Sequence, residues 1–99
     1  MEYLYDTKTR MIKEYKDDSE DYAEEIKLSK LQGKLLMALS NGRENTWEEI
    51  IKYIYNEDYN KISVMKVKSI IKLFKNKLKI NIVNLYGYGF MLTDHIYIK

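Results

Sequence analysis

The chain has 99 residues, the size of one small domain with a single hydrophobic core. Its 45% hydrophobic and 32% charged residues are typical of a globular protein rather than a disordered or membrane one. Cysteine is absent, which excludes a disulfide scaffold and a thiolate zinc site, and no apolar run approaches the roughly 20 residues that span a bilayer. We therefore expect one cytoplasmic domain, residues 1–99, with no membrane partner.

The net charge of +2 is small, but the charges are unevenly distributed along the chain. Residues 1–26 carry four basic and nine acidic side chains, residues 27–58 carry five of each, and residues 59–93 carry seven lysines and no acid. A lysine-rich segment without acids is typical of a surface that meets an anion. The alternative is that a lysine-rich composition scatters these side chains over solvated faces.

The first 28 residues predict a small antiparallel sheet. In EYLYDTKTRMIKEY, two alternating runs of strand-favouring residues flank the polar residues 6–9, a pattern that predicts a hairpin. The polar segment KDDSED follows. Residues 22–28 predict a third short strand, although Ala23 and two glutamates weaken the pattern.

Residues 29–79 predict three helices. Ser29 with Gln32, and Thr46 with Glu49, match the capping box, in which two side chains satisfy free amides at a helix start. The first helix should run to about Ser40, before the left-handed stop Asn41-Gly42, and the second to about Tyr55. Their predicted core residues are Leu31, Leu35, Leu39, Ile50, Ile51 and Ile54.

The third helix, capped by Ser63 and running through Leu78, has a basic solvent side. Its inward stripe is Val67, Ile70, Ile71, Phe74 and Leu78. Roughly opposite lie Met65, Ser69, Lys72 and Asn76, and the flanks carry Lys66, Lys68, Lys75, Lys77 and Lys79. Such a helix suits a phosphate-lined groove, and an anionic membrane or an acidic protein are the alternatives.

The stretch INIVNLYGYGFML predicts a two-stranded hairpin at about residues 82–92, within the C-terminal segment 80–99. Gly87 and Gly89 allow a tight reversal because positive φ is cheap without a side chain. We expect Phe90 to pack inward and Tyr86 and Tyr88 to be exposed.

These elements, in this order, resemble the effector domain of the OmpR/PhoB family of bacterial response regulators over nearly the whole chain. The family's helix-one opening, leucine-threonine followed by a capping acid, is similar to Leu28-Ser29 with Gln32. Its tryptophan-glycine-x-aspartate-tyrosine segment is similar to residues 55–59, and its wing ending to residues 87–90. The family's ending of the third helix corresponds to Ile71, Phe74, Lys75, Lys77 and Leu78.

The resemblance implies an α+β winged helix-turn-helix that binds duplex DNA selectively. The recognition helix, about residues 64–78, would enter the major groove, and the wing would meet the adjacent minor groove or backbone. The chain departs from the family where Tyr86 replaces a wing arginine, Ile70 a histidine and Leu73 a base-reading arginine. The expected DNA contacts are Met65, Lys66, Lys68, Ser69, Lys72, Leu73, Lys75, Asn76, Lys79, Asn84, Tyr86 and Tyr88.

The resemblance also implies partners on the DNA. It suggests a head-to-tail homodimer on direct repeats about 10 bp apart. RNA polymerase would contact the loop 56–62, where Glu57, Asp58 and Tyr59 are expected to be exposed; the alternative is an ordinary polar connection. Because no receiver domain precedes the first strand, we expect a stand-alone regulator of bacterial or phage origin, with an excised effector domain as the alternative.

The residue pattern does not favour an enzyme or a cofactor. The only histidine, His95, has no cysteine or spaced acids to form a metal site, and YGYG lacks the third glycine of a dinucleotide fingerprint. The main rival to DNA binding is an interaction module whose basic face binds an acidic protein or RNA polymerase.

Overall fold

A computed structural model describes residues 2–14 and 25–99 of the chain. It contains three helices, a π-helical turn and seven strands. The strands are β1 (Glu2–Asp6), β2 (Met11–Glu14), β3 (Ile26–Lys27), β4 (Asn45–Thr46), β5 (Ile82–Asn84), β6 (Gly89–Leu92) and β7 (His95–Ile98). The helices are α1 (Lys30–Leu39), α2 (Trp47–Tyr55) and α3 (Lys61–Leu73), and the π-helical turn Phe74–Leu78 extends α3.

The N-terminal sheet has the strand order β3-β2-β1-β7. The predicted antiparallel pairing of the first three strands is confirmed, and the turn at residues 7–10 lies where the hairpin prediction put it. Of the predicted third strand, residues 26–27 form β3. Residues 22–24 and the polar segment 16–21 lie outside the described residues.

A fourth strand, which the sequence did not predict for this sheet, comes from the C terminus. Strand β7 pairs in parallel with β1, with Glu2 opposite His95 and Tyr5 opposite Ile98. The pairing continues past the strand ends, where the Lys99 amide donates to the Tyr5 carbonyl at 2.8 Å. Both ends of the described chain are therefore joined in one sheet.

Helices α1 and α2 begin at the predicted capping boxes. The Ser29 hydroxyl accepts from the Gln32 amide at 3.1 Å, and the Gln32 side chain accepts from the Ser29 amide at 2.8 Å. Thr46 and Glu49 exchange the same two bonds at 3.1 and 3.4 Å. The predicted helix ends near Ser40 and Tyr55 are also confirmed.

The start of α3 differs from the prediction. Asn60, not Ser63, caps the helix, and its side-chain oxygen accepts from the Ser63 amide at 2.8 Å. Ser63 is buried in the first turn, where its hydroxyl donates to the Glu57 carboxylate at 3.2 Å. The same carboxylate accepts from the Asn60 side chain at 3.1 Å, so Glu57 fixes the cap. The helix therefore starts earlier than predicted and includes Lys61 and Ile62.

The end of α3 also departs from a regular helix. After Leu73 the chain forms the π-helical turn and stops at Lys79, which takes the left-handed conformation with φ of 55°. Both the Lys79 and the Ile80 amides donate to the Phe74 carbonyl. The predicted extent to Leu78 is correct, but its last five residues are wound more widely than an α-helix.

The hydrophobic core lies between the three helices and the two sheets. The predicted inward stripe of α3 is confirmed, because Val67, Ile71 and Phe74 are almost wholly buried. Leu35 and Leu39 of α1, and Ile50, Ile51 and Ile54 of α2, pack in the same cluster.

The C-terminal hairpin, here called the wing (residues 82–92), is joined to the helices by β4, in the strand order β4-β6-β5. At its tip the Tyr88 amide donates to the Leu85 carbonyl at 2.9 Å, and the two residues between them have positive φ, 29° at Tyr86 and 71° at Gly87. The prediction that positive φ requires a glycine is thus correct for Gly87.

For Gly89 that explanation is wrong, because its φ is not positive. Gly89 pairs with Thr46 of β4, and a Cβ atom on it would collide with the Asn45 carbonyl oxygen. The second glycine is needed for close backbone approach, which lets β4 hold the wing against the helices.

We predict that Gly89→Ala lowers the free energy of unfolding by about 3 kcal/mol, because backbone atoms of β4 must move to admit the methyl group. Gly87→Ala is the matched control, since its added Cβ meets open space and costs only the left-handed conformation, about 1 kcal/mol. Urea unfolding of both variants measures the difference. Equal destabilisation by the two changes would contradict the close-approach explanation.

Candidate nucleic-acid interface

Helices α2 and α3 form a helix-turn-helix joined by the polar link 56–60. Asn56 ends α2 in the left-handed conformation, and its amide donates to the Lys52 carbonyl at 2.9 Å. Glu57, Asp58 and Tyr59 are exposed, as predicted for the loop. Glu57 nevertheless has a local structural role, because it holds the α3 cap.

The outward side of α3 and its π-helical turn carries the predicted contact residues. All of them are exposed except Leu73, which is half-buried: Met65, Lys66, Lys68, Ser69, Lys72, Lys75, Asn76 and Lys79. The earlier helix start adds Lys61 and Ile62 to this side, and both are exposed. The sequence pattern does not place these two in the helix, because Ser63 and Asn60 are equally good capping residues and a cap at Ser63 would exclude them.

Within the described part of the chain, no acidic side chain pairs with the lysines of this side. None of the seven lysines in residues 59–93 forms an ion pair with a described carboxylate. An ion pair that the structure does describe joins Lys13 and Glu25 at 3.6 Å, in the N-terminal sheet. The outward side of α3 is therefore a positive surface, open to an anionic partner.

The aromatic ring of Tyr55 contacts one of these lysines. The Lys66 ammonium lies 5.6 Å from the centre of the Tyr55 ring, within the range of a cation–π contact. The Tyr55 hydroxyl is buried without a hydrogen-bond partner among the described residues. Burial, and to a smaller extent the charge of Glu57, raise the pKa of Tyr55. The ring therefore stays neutral at physiological pH.

Few hydrogen-bonding groups are available in the middle of the outward side. The Ser69 hydroxyl donates to the Met65 carbonyl at 3.2 Å, so its proton is already used within the helix. Ile62 and Met65 offer no hydrogen-bond donor, and each is 69% exposed. Polar side chains return further along, at Lys72 and Asn76.

The wing presents aromatic side chains at its tip. Tyr86 is 96% exposed and Tyr88 is 51% exposed, as predicted, and Asn84 is exposed on β5. Phe90 is buried, also as predicted, and its ring forms an edge-to-face pair with that of Trp47, with centroids 5.1 Å apart. The positive φ of Tyr86 costs on the order of 1 kcal/mol, which a glycine at the same place would not.

Comparisons with known proteins give a likeness in structure. No family model matches the chain, and no curated protein matches its sequence. In structure, the chain is similar to the DNA-binding domain of CssR from Bacillus subtilis, with a TM-score of 0.68. The likeness covers 91% of this chain and 98% of that one, at 16% sequence identity. The chain has a winged-helix fold.

The likeness confirms the predicted α+β winged helix and supports, at the level of fold, the resemblance to the response-regulator effector domain. At this identity it says nothing about individual side chains. The winged helix contains a helix-turn-helix, a basic outward side on α3 and a hairpin with exposed aromatics.

Other kinds of site find no support in residues 2–14 and 25–99. In these residues no three histidine, cysteine or acidic side chains come together as metal ligands. His95 is exposed on β7, and its ring lies against that of Tyr97 with centroids 4.4 Å apart. No helix of the described part is long and apolar enough to cross a membrane.

We predict that Asn60→Ala lowers the free energy of unfolding by about 1 kcal/mol, the usual cost of removing a helix cap. Asn60→Ser is the control and should retain most of the stability, because serine also accepts from the third amide of a helix. Thermal unfolding followed by circular dichroism measures both. If Ser63 were the true cap, Asn60→Ala would change little.

Proposed function

We propose that the chain is a transcription regulator that binds duplex DNA. In this proposal α3 lies in the major groove, and the wing lies on the adjacent minor groove or backbone. The observation that carries it is the outward side of α3, where lysines with no acidic partner among residues 2–14 and 25–99 lie on the second helix of a helix-turn-helix. The likeness in fold to the DNA-binding domain of CssR also supports the proposal of DNA binding.

The lysines are proposed to bind phosphates rather than to read bases. Lysine is a flexible point charge, whereas bidentate contact with guanine needs the planar fork of arginine, and α3 has no arginine. Contacts to the DNA backbone give affinity and register but little sequence information. Selectivity therefore depends on the uncharged residues of the outward side, Met65, Ser69, Leu73 and Asn76. Leu73 is the weakest candidate because it is half-buried.

The wing is proposed to contact DNA through an aromatic ring instead of a cation. Tyr86 projects from the tip, and it occupies a position of unfavourable φ that a glycine would relieve. An exposed tyrosine there can pack on sugar and base edges while its hydroxyl meets a phosphate. Asn84 and Tyr88 lie on the same hairpin and extend this contact.

The proposal includes a second copy of the chain and RNA polymerase as partners on the DNA. Residues 1–99 would act as one unit in the cytoplasm, as a head-to-tail homodimer on direct repeats spaced about one helical turn apart. Contact with RNA polymerase would use Asp58 and Tyr59, which are exposed in the link before α3. Glu57 is less suited to that contact, since its carboxylate already binds Asn60 and Ser63. No catalytic step and no cofactor is part of this proposal.

We predict that replacing Lys68, Lys72 and Lys75 with alanine weakens binding to every duplex. The slope of log K against log salt should shrink by about 0.9 for each phosphate that is no longer neutralised, or about 2.7 in total. Fluorescence anisotropy on random and AT-rich duplexes, titrated across salt, measures this slope.

The matched control replaces three exposed lysines outside residues 59–93, namely Lys8, Lys27 and Lys30, which removes the same charge. This variant should keep most of the parent's salt slope. An equal decrease in both variants would show that binding follows net charge and that the assigned face is wrong. No binding by the parent at low salt would favour an acidic protein as the partner.

We predict that Tyr86→Ala lowers affinity for duplex DNA by about 1 kcal/mol, roughly fivefold, because alanine has no ring to pack on the DNA. Alanine has the same difficulty as tyrosine with positive φ, so the turn is not relieved by the change. Tyr53→Ala on α2 is the control, since Tyr53 is an exposed tyrosine outside the wing. Anisotropy with a single duplex compares the two, and unchanged affinity for Tyr86→Ala would remove the wing tip from the interface.

A further inference from the structure

The first half of α3 carries an exposed apolar pair, Ile62 and Met65. Each has 69% of its surface in solvent, although both are large apolar side chains of the kind that usually pack inward. Residues three apart on a helix are neighbours on one face, so the two side chains form a single patch. The other large aliphatic residues of this half, Val64 and Val67, are buried. The patch is thus a feature of the outward side and not a loosely packed core.

Lysines stand on both sides of the apolar pair. With about 100° of rotation for each residue, Lys61 and Lys68 lie about 70° to 90° to one side of the pair, and Lys66 lies about 70° to the other. If these lysines bind the two phosphate walls of a groove, the pair between them faces the groove floor. The central position is therefore the one that meets base edges.

The centre of this face has no free hydrogen-bond donor over its first two turns. The residue that continues the line of the pair is Ser69, and its hydroxyl proton is given to the Met65 carbonyl. All four bases present polar atoms in the major groove, and an apolar side chain can pair with none of them. Thymine alone among the four bases presents a methyl group there, at C5.

We propose that Ile62 and Met65 read the C5-methyl groups of thymine in the major groove. This inference rests on the proposed function and narrows it to a class of sites, duplexes with thymines at the positions under the first half of α3. Burial of a methyl group between these side chains removes apolar surface from water. Each methyl contacted contributes about fourfold in affinity.

The experiment compares duplexes that differ only in methyl groups. In an AT-rich duplex, replacing thymine with deoxyuridine removes the methyl and keeps every hydrogen-bonding atom of the base. Affinity of the parent protein should fall about fourfold for each methyl contacted. In a GC-rich duplex, replacing cytosine with 5-methylcytosine places a methyl at the same groove position, and affinity should rise.

Variants of the protein test whether the difference in affinity between thymine and deoxyuridine duplexes depends on Ile62 and Met65. The double variant Ile62→Ala with Met65→Ala should bind the thymine duplex as weakly as the deoxyuridine duplex, so the difference between them disappears. Lys68→Ala is the control, because it should weaken binding to both duplexes and keep their ratio. Both changes are at exposed positions, and circular dichroism verifies that the helices remain.

The possible outcomes distinguish methyl reading by Ile62 and Met65 from DNA binding itself. Steeply salt-dependent binding with equal affinity for thymine and deoxyuridine duplexes overturns methyl reading and leaves DNA binding intact. A methyl effect that persists in the double variant also overturns the assignment to Ile62 and Met65. Failure to bind any duplex at low salt overturns the proposed function itself.

Discussion

Burial of one side of α3 is the constraint on which the rest of the structure depends. Val67 and Phe74 are wholly buried and Ile71 nearly so, in one cluster with apolar residues of α1 and α2. Because a helix has a fixed rotation between residues, burying this stripe also fixes which side chains point outward. The lysines and the apolar pair are exposed as a direct result. The proposed interface is the side of α3 opposite its buried stripe. A change in core packing that rotated the helix would therefore change which side chains are exposed.

The wing depends on a second constraint, the short strand β4. This strand continues directly into α2 and pairs with β6, where the lack of a side chain at Gly89 allows the two backbones to approach. Trp47, the first residue of α2, then packs on Phe90 of β6. The hairpin is thereby attached to the same helix that precedes α3 in the chain. A surface made from both elements can keep a fixed geometry, which a DNA contact requires.

The sequence predicts those features that depend on neighbouring residues and misses those that depend on distant ones. Both capping boxes and the buried stripe of α3 follow from local spacing, and both are confirmed. The choice of Asn60 over Ser63 is an exception: it is a local feature, but each residue is a good cap and only the bonds that Glu57 makes to both decide between them. Gly89 was misinterpreted because its close neighbour, Asn45, is far away in sequence. In the candidate site the lysines follow from the sequence pattern, whereas Ile62 does not, because the cap at Asn60 places it in the first turn of α3.

The parallel pairing of β1 with β7 has a consequence for how the protein is made. The edge of β1 finds its partner at residues 95–98, so β1 stays open on that side during synthesis until β7 follows. An unpaired strand edge is a template for association with other chains. Contacts between such distant residues also form slowly, because a long segment must be ordered to close them. The N-terminal sheet is therefore completed only after synthesis of residues 95–99, however early the helices between them have formed.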